Sequence, residues 1–106
     1  MNRVSEEDWK LFRSKIADWQ EAYMEKLNKE YIDLLSGEGN TSDKFWALEK
    51  RINKDKKDSG VQCEMSRSNM HFVILNLLKE GAITLEDLSD FTEDLQETMK
   101  HFYGWK

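Results

Sequence analysis

The side chains best suited to chemistry are Cys63, His71, His101 and the carboxylates Asp90, Glu93 and Glu97, and none of them completes a catalytic pattern. Cys63 and His71 lie roughly two helical turns apart, but no third group orients them as nucleophile and base. The expectation is a packed thiol and a surface or boundary imidazole. Asp90, Glu93, Glu97 and His101 fall on one helical stripe. A carboxylate-bridged metal bundle needs Glu-x-x-His on two helices, and neither histidine supplies that spacing. The stripe therefore reads as a solvated acidic face. No metal and no cofactor are expected.

Two other stretches invite a ligand. Gly37-Glu38-Gly39-Asn40-Thr41-Ser42 precedes a helix start, yet it lacks both the preceding strand and the Gly-Lys-Ser/Thr ending of a phosphate loop, so it reads as a linker. Arg67, Ser68 and Asn69 stand just before the most apolar run of the chain, where polar groups need partners. They are expected to brace neighbouring helix ends, with a pocket there left open. With no convincing catalytic constellation, the chain reads as noncatalytic.

The elements that would carry these residues are all helical. Across 106 residues there is no Pro and only five Gly, and Glu, Lys, Leu and Met are frequent. This length suits a single domain, 1–106. Ser5 followed by Asp8 resembles a variant capping box, with Glu6, Glu7 and Asp8 at the positive end of the dipole. Behind it Trp9, Phe12, Ile16, Trp19, Tyr23, Leu27, Tyr31 and Leu34 recur every three or four residues, widened by Leu11, Met24, Ile32 and Leu35. The pattern predicts one long aromatic helix of roughly 45 Å, ending at Gly37. The later helices are nearer 20 to 30 Å, so one end of the first overhangs. An aromatic stripe left over must bend onto the bundle, meet a second copy or await a partner. Trp9, Phe12, Trp19, Tyr23 and Tyr31 are therefore the predicted interaction surface, unless a kink turns the whole stripe into core.

Thr41, Ser42 and Asp43 offer N-caps for a second helix bearing Phe45, Trp46, Leu48 and Ile52 and ending near Lys57. Its basic face centres on Lys50, Arg51 and Lys54. A turn at Asp58-Ser59-Gly60 leads to a third helix, predicted from Val61 to Glu80. Within it, seven of the nine residues Met70–Leu78 are apolar, too many for one face, so this segment is expected at the centre of the fold, buried on several sides. Gly81 ends it. Thr84, with Asp87 three residues on, caps a fourth helix that buries Leu85, Leu88, Phe91, Leu95, Met99 and Phe102. Trp105 is expected to fold back onto the bundle. The prediction is an all-α, four-helix bundle-like domain with a long N-terminal helix laid across the rest.

Charge narrows the function classes. The net charge is −5, yet residues 43–67 carry seven basic and five acidic side chains while residues 68–106 carry three and seven. An acidic protein without a clustered basic face is a poor nucleic-acid binder. The Gly-containing turn before Leu85 has the outline of a helix-turn-helix, but the following helix offers Glu and Asp rather than base-reading side chains. One cysteine excludes a disulfide framework and a cysteine zinc cage. No apolar run approaches the roughly 20 residues that span a bilayer, and the start lacks a signal-peptide pattern. A cytoplasmic protein with no membrane association is expected.

Asp43-Lys44-Phe45-Trp46-x-Leu48-Glu49-Lys50-Arg51-Ile52, Asp55-Lys56-Lys57, Gly60-Val61, Arg67-Ser68-x-Met70 and Gly81-x-Ile83-x-x-x-Asp87-Leu88-x-x-Phe91 resemble a group of small uncharacterised helical proteins of Gram-positive bacteria. The resemblance implies a helical fold and a bacterial cytoplasmic setting, and transfers no functional residue. The leading expectation is a noncatalytic protein–protein interaction or regulatory protein, self-associating through the first helix or holding a protein partner. Two alternatives stand beside it: nucleic-acid binding through the basic second helix, and an immunity or inhibitor-type protein using the acidic fourth helix.

Overall fold

The computed structural model describes residues 4–104. Helix α1 runs without interruption from Glu6 to Ser36, at about 1.5 Å per residue some 46 Å long. The Ser5 hydroxyl accepts the Asp8 amide at 3.0 Å, as the sequence predicts for a cap. The Asp8 carboxylate does not close the box. It reaches instead to Thr92, accepting the backbone N–H at 3.0 Å and the hydroxyl at 2.6 Å.

Helix α2 spans Thr41–Asp55 and folds back along the C-terminal half of α1. The third helix begins later than periodicity suggests: α3 is Met70–Glu80, preceded by a 3-10 turn at Arg67–Asn69, and residues 62–66 have no regular structure. The physical reason is that Gln62, Glu64, Ser66 and Ser68 give the predicted first half no apolar stripe to bury, and a short helix draws its stability mainly from such burial. Gly81 closes α3 with φ +78°, the left-handed conformation open to glycine.

The predicted fourth helix is two elements. A 3-10 turn, Leu85–Leu88, carries the Thr84–Asp87 capping box, and α4 is Glu93–Tyr103 with its own cap, the Thr92 hydroxyl accepting the Leu95 amide at 3.3 Å. Leu85, Leu88 and Phe91 are spaced by three, which fits a 3-10 turn as well as an α-helix. The Asp8 carboxylate also holds Thr92 at a fresh helix start. Trp105 lies outside the described residues.

Phe12 and Ile16 of α1, Met70, Ile74, Leu77 and Leu78 of α3, Leu88, Phe91, and Leu95 and Met99 of α4 form one apolar cluster. The central position expected of the Met70–Leu78 run holds for Met70, Val73, Ile74, Leu77 and Leu78; Phe72 instead points outward, 60% exposed, and Phe102 on α4 is also exposed. Each fully buried side chain of this set contributes on the order of 2 kcal/mol relative to exposure. Trp19 bridges the layers, its ring 6.4 Å from Phe12 and 6.2 Å from Phe91.

All of this core lies around the N-terminal half of α1. The radius of gyration is 16.3 Å against about 13 Å for a compact chain of this length, and the extents are 51 × 27 × 20 Å. The excess length is an arm: the C-terminal half of α1 with α2 alone beside it. Among the described residues no helix is long and apolar enough to cross a membrane.

Candidate interaction surface

Two paired helices leave uncovered any apolar residue that lies off their shared seam, and the arm demonstrates this. Of the large apolar residues more than 40% exposed among the described residues, Ile32 and Leu35 lie on α1 and Phe45, Trp46 and Ile52 on α2, while Met65, Phe72 and Phe102 are scattered over the rest of the chain. Phe45 and Trp46 are adjacent, so a helix points them about 100° apart and one partner helix cannot cover both. Their rings meet edge to face at 4.9 Å and remain over 60% exposed.

A groove of about 220 Å³ runs between the helices, lined by Met24, Leu27, Asn28 and Tyr31 of α1 and Ile52 and Asp55 of α2, with Lys56 and Val61 at its end. A second hollow of about 220 Å³ lies along α2 between Phe45, Leu48 and Ile52. Ile52 lines both hollows, with Glu49 and Asn53 bordering the second. The spacings suit a helix–helix seam: Met24, Asn28, Tyr31 and Leu35 on one helix, and Phe45, Leu48 and Ile52 on the other, recur at intervals of three and four.

Polar bonds fix the arm in place. Tyr31 donates its hydroxyl to Asp55 at 2.7 Å. The Arg51 guanidinium pairs with Glu30 at 2.8 Å and Asp55 at 3.1 Å and lies 5.5 Å from the centre of the Tyr31 ring. Burial, followed by the bond and negative charge of Asp55, pushes the Tyr31 phenol up to about 12. At the base of the arm Tyr23 donates to Asp58 at 2.7 Å, Gln20 donates to the Ser59 carbonyl at 3.0 Å, and Glu80 accepts the amides of Ser59 and Gly60 at 2.9 and 3.0 Å. Burial raises the Glu80 carboxyl, opposed by those two amides. This knot ties the loop after α2 to both α1 and α3.

The predicted surface is therefore displaced along the chain. Phe12 and Tyr23 are buried, and Trp9 and Trp19 pack against the core, so the first half of the aromatic stripe is interior. Phe12, Trp9 and Trp19 face the core built with α3 and α4, and Tyr23 faces the loop at Asp58 and Gly60, neither of which the sequence pattern could locate. Tyr31 does line the groove. Of the predicted basic face, Lys50 and Lys54 are exposed, whereas Arg51 is drawn inward by Glu30 and Asp55. Arg67 braces the start of α1 through Glu6, as expected.

The chemistry-bearing residues do not converge. Cys63 is half-buried against the core, 3.7 Å from the Gln20 amide, and burial pushes its thiol up. His71 is a correction: it is 4% exposed rather than at the surface, because the α3 face it occupies packs beneath the Ser5–Asp8 turn and α4. It lines a hollow of about 90 Å³ with Ser5, Asp8, Thr92, Asp94 and Thr98, and its Nδ1 has no hydrogen-bond partner. Burial lowers its affinity for a proton, with Asp8 acting in the opposite sense. Among the described residues no group of three or more His, Cys, Asp or Glu side chains is arranged to hold a metal ion.

No family of known proteins, no curated protein and no solved structure matches this chain.

Proposed function

We propose that this is a noncatalytic protein–protein interaction protein whose working surface is the α1–α2 arm. The observation that carries this reading is the pair of hollows that share Ile52, together with exposed Phe45, Trp46 and Ile32, standing clear of the core that holds the fold together. A side chain such as Phe45, 61% exposed, gives nothing to folding from its outer face, and an exposed apolar patch rimmed by charge is the usual form of a docking site. The resemblance to small helical bacterial proteins is compatible with such a role and supports a cytoplasmic setting for it.

A nucleic-acid role through α2 draws little support from the arrangement, because Arg51 is engaged with two carboxylates and Lys50 and Lys54 alternate with Glu49 and Asn53. The reading is tested by placing a photo-crosslinking residue at Phe45 or, as a control, at exposed Glu97 on α4, in the source cell. A discrete protein adduct at Phe45 and none at Glu97 is the expected result. Adducts at Glu97 alone would move the working surface to the acidic α4 and overturn the proposal.

A further inference from the structure

Away from the arm, three helix starts meet over one buried imidazole. His71 lies on the first turn of α3 and is 4% exposed, its Nδ1 without a hydrogen-bond partner. It lines the hollow of about 90 Å³ together with Asp8 from the first turn of α1 and Asp94, Leu95 and Thr98 from the start of α4. A buried ring nitrogen left unpaired is costly, and its place in the wall of a polar hollow calls for a ligand atom. We infer that this hollow binds a primary ammonium group, with His71 Nδ1 among its acceptors.

Charge sets the sign of the ligand. The Thr92 amide and hydroxyl, which could serve an anion at the start of α4, already go to the Asp8 carboxylate, and the Asp8 and Leu95 amides go to the Ser5 and Thr92 hydroxyls. Each of the three helix starts contributes about half a positive charge. Against them stand the carboxylates of Asp8 and Asp94 in the wall and of Glu7 and Glu93 in the same first turns. The balance is negative and suits a cation.

The remaining hydrogen-bonding capacity accepts rather than donates. Burial keeps the His71 ring neutral at neutral pH, so Nδ1 accepts when Nε2 carries the proton. The Thr98 hydroxyl gives its proton to the Asp94 carbonyl at 2.8 Å and keeps its lone pairs, and each Asp8 oxygen has accepted one bond from Thr92 and can accept another. An ammonium brings three donors to such a wall. A volume of about 90 Å³ equals the share of about three water molecules in the liquid, room for the ammonium and a short carbon stem lying on Leu95.

The test is titration of the full chain at neutral pH with ethylammonium, ethanol and formate, which are similar in size and differ in charge, followed by the Thr98 amide and the His71 ring signals. Ethylammonium is expected to saturate those signals, and ethanol and formate to leave them unmoved. Asp94→Asn, at an exposed position, should keep its helical circular dichroism and weaken ethylammonium binding about two- to fivefold. His71→Leu should weaken it at least about tenfold, the scale of a hydrogen bond to a charged group; if that variant fails to fold, Asp94→Asn decides alone. Nα-acetyl-lysine amide distinguishes the source of the group: whether it or ethylammonium binds more tightly marks a protein lysine or a free amine, and either order supports the inference. Failure of ethylammonium to saturate, equal or tighter binding of ethanol or formate, or binding unchanged in either folded variant overturns it, and the Phe45 crosslinking result is independent of all three.

Discussion

Gly60→Ala offers the sharpest perturbation of how the arm is set on the core. A Cβ at position 60 would lie 2.3, 2.6 and 2.9 Å from Cδ2, Cγ and Cε2 of Tyr23, closer than carbon atoms approach. Gly60 does not have a positive φ, so alanine meets no backbone penalty and the clash is isolated. The ring can yield only by leaving its 2.7 Å bond to Asp58, and the loop only by leaving the two amide bonds to Glu80. Overpacking alone costs about 1–3 kcal/mol, and loss of a hydrogen bond to a charged group about 1.5–3 kcal/mol. The expected loss is about 3 kcal/mol, or roughly 12 °C in Tm at about 4 °C per kcal/mol. Urea unfolding of wild type, Gly60→Ala, Tyr23→Ala and the double variant measures it. Because Tyr23→Ala is itself destabilising, the decisive quantity is the coupling: with the ring gone, Gly60→Ala should cost at least about 2 kcal/mol less. Additive effects, or a single-variant loss under about 0.5 kcal/mol, would refute the packing described for this knot.

Further outcomes follow from the same contacts. Asp8→Ala removes two bonds to Thr92 from a buried carboxylate and should lower stability by about 3 kcal/mol in denaturant melts, while Asp90→Ala, whose 3.6 Å pair with Lys15 is exposed, should change it by less than about 0.5 kcal/mol. Arg51→Ala leaves the buried Asp55 carboxylate with Tyr31 as its remaining side-chain partner and should cost about 1–3 kcal/mol, whereas Lys50→Ala and Lys54→Ala should be near neutral in the same melts. His71 binds a proton less readily folded than unfolded, so the unfolded state protonates first as pH falls below about 6.5 and stability declines from there toward the lower folded value, with no effect above that window. The urea midpoint between pH 7.5 and pH 5.5 should therefore fall more steeply for wild type than for His71→Leu, which isolates this group from the opposite tendency of Glu80.

The local signals in the chain predicted the elements well wherever a cap and a stripe agreed. Ser5, Gly81 and the Thr84–Asp87 pair all act where their types and spacing suggested, and the Met70–Leu78 run supplies the centre of the core. Periodicity misled where spacing by three and four continued across a break, as from Leu88 through Phe91 into Leu95, because the cap signal of Thr92 was subordinate to the stripe. The interaction surface was legible only in outline. That α1 is too long for its bundle could be read from lengths; which half projects depends on where α3 and α4 pack, which no local pattern encodes. The adjacent Phe45-Trp46 pair was the overlooked clue, since neighbours on a helix cannot share one buried face. The inward positions of His71 and Arg51 arise from elements distant in sequence, the Ser5–Asp8 turn and α4 packed over one and Glu30 paired with the other, and no spacing rule reveals such neighbours.

The working surface is most directly tested by backbone amide spectra of the full chain with and without the protein captured by crosslinking at Phe45. On adding that protein, amides of residues 24–35 and 45–56 should shift or broaden while those of α3 and α4 hold their positions. Changes confined to α3 and α4, with the arm unmoved, would contradict its assignment as the surface through which this protein associates.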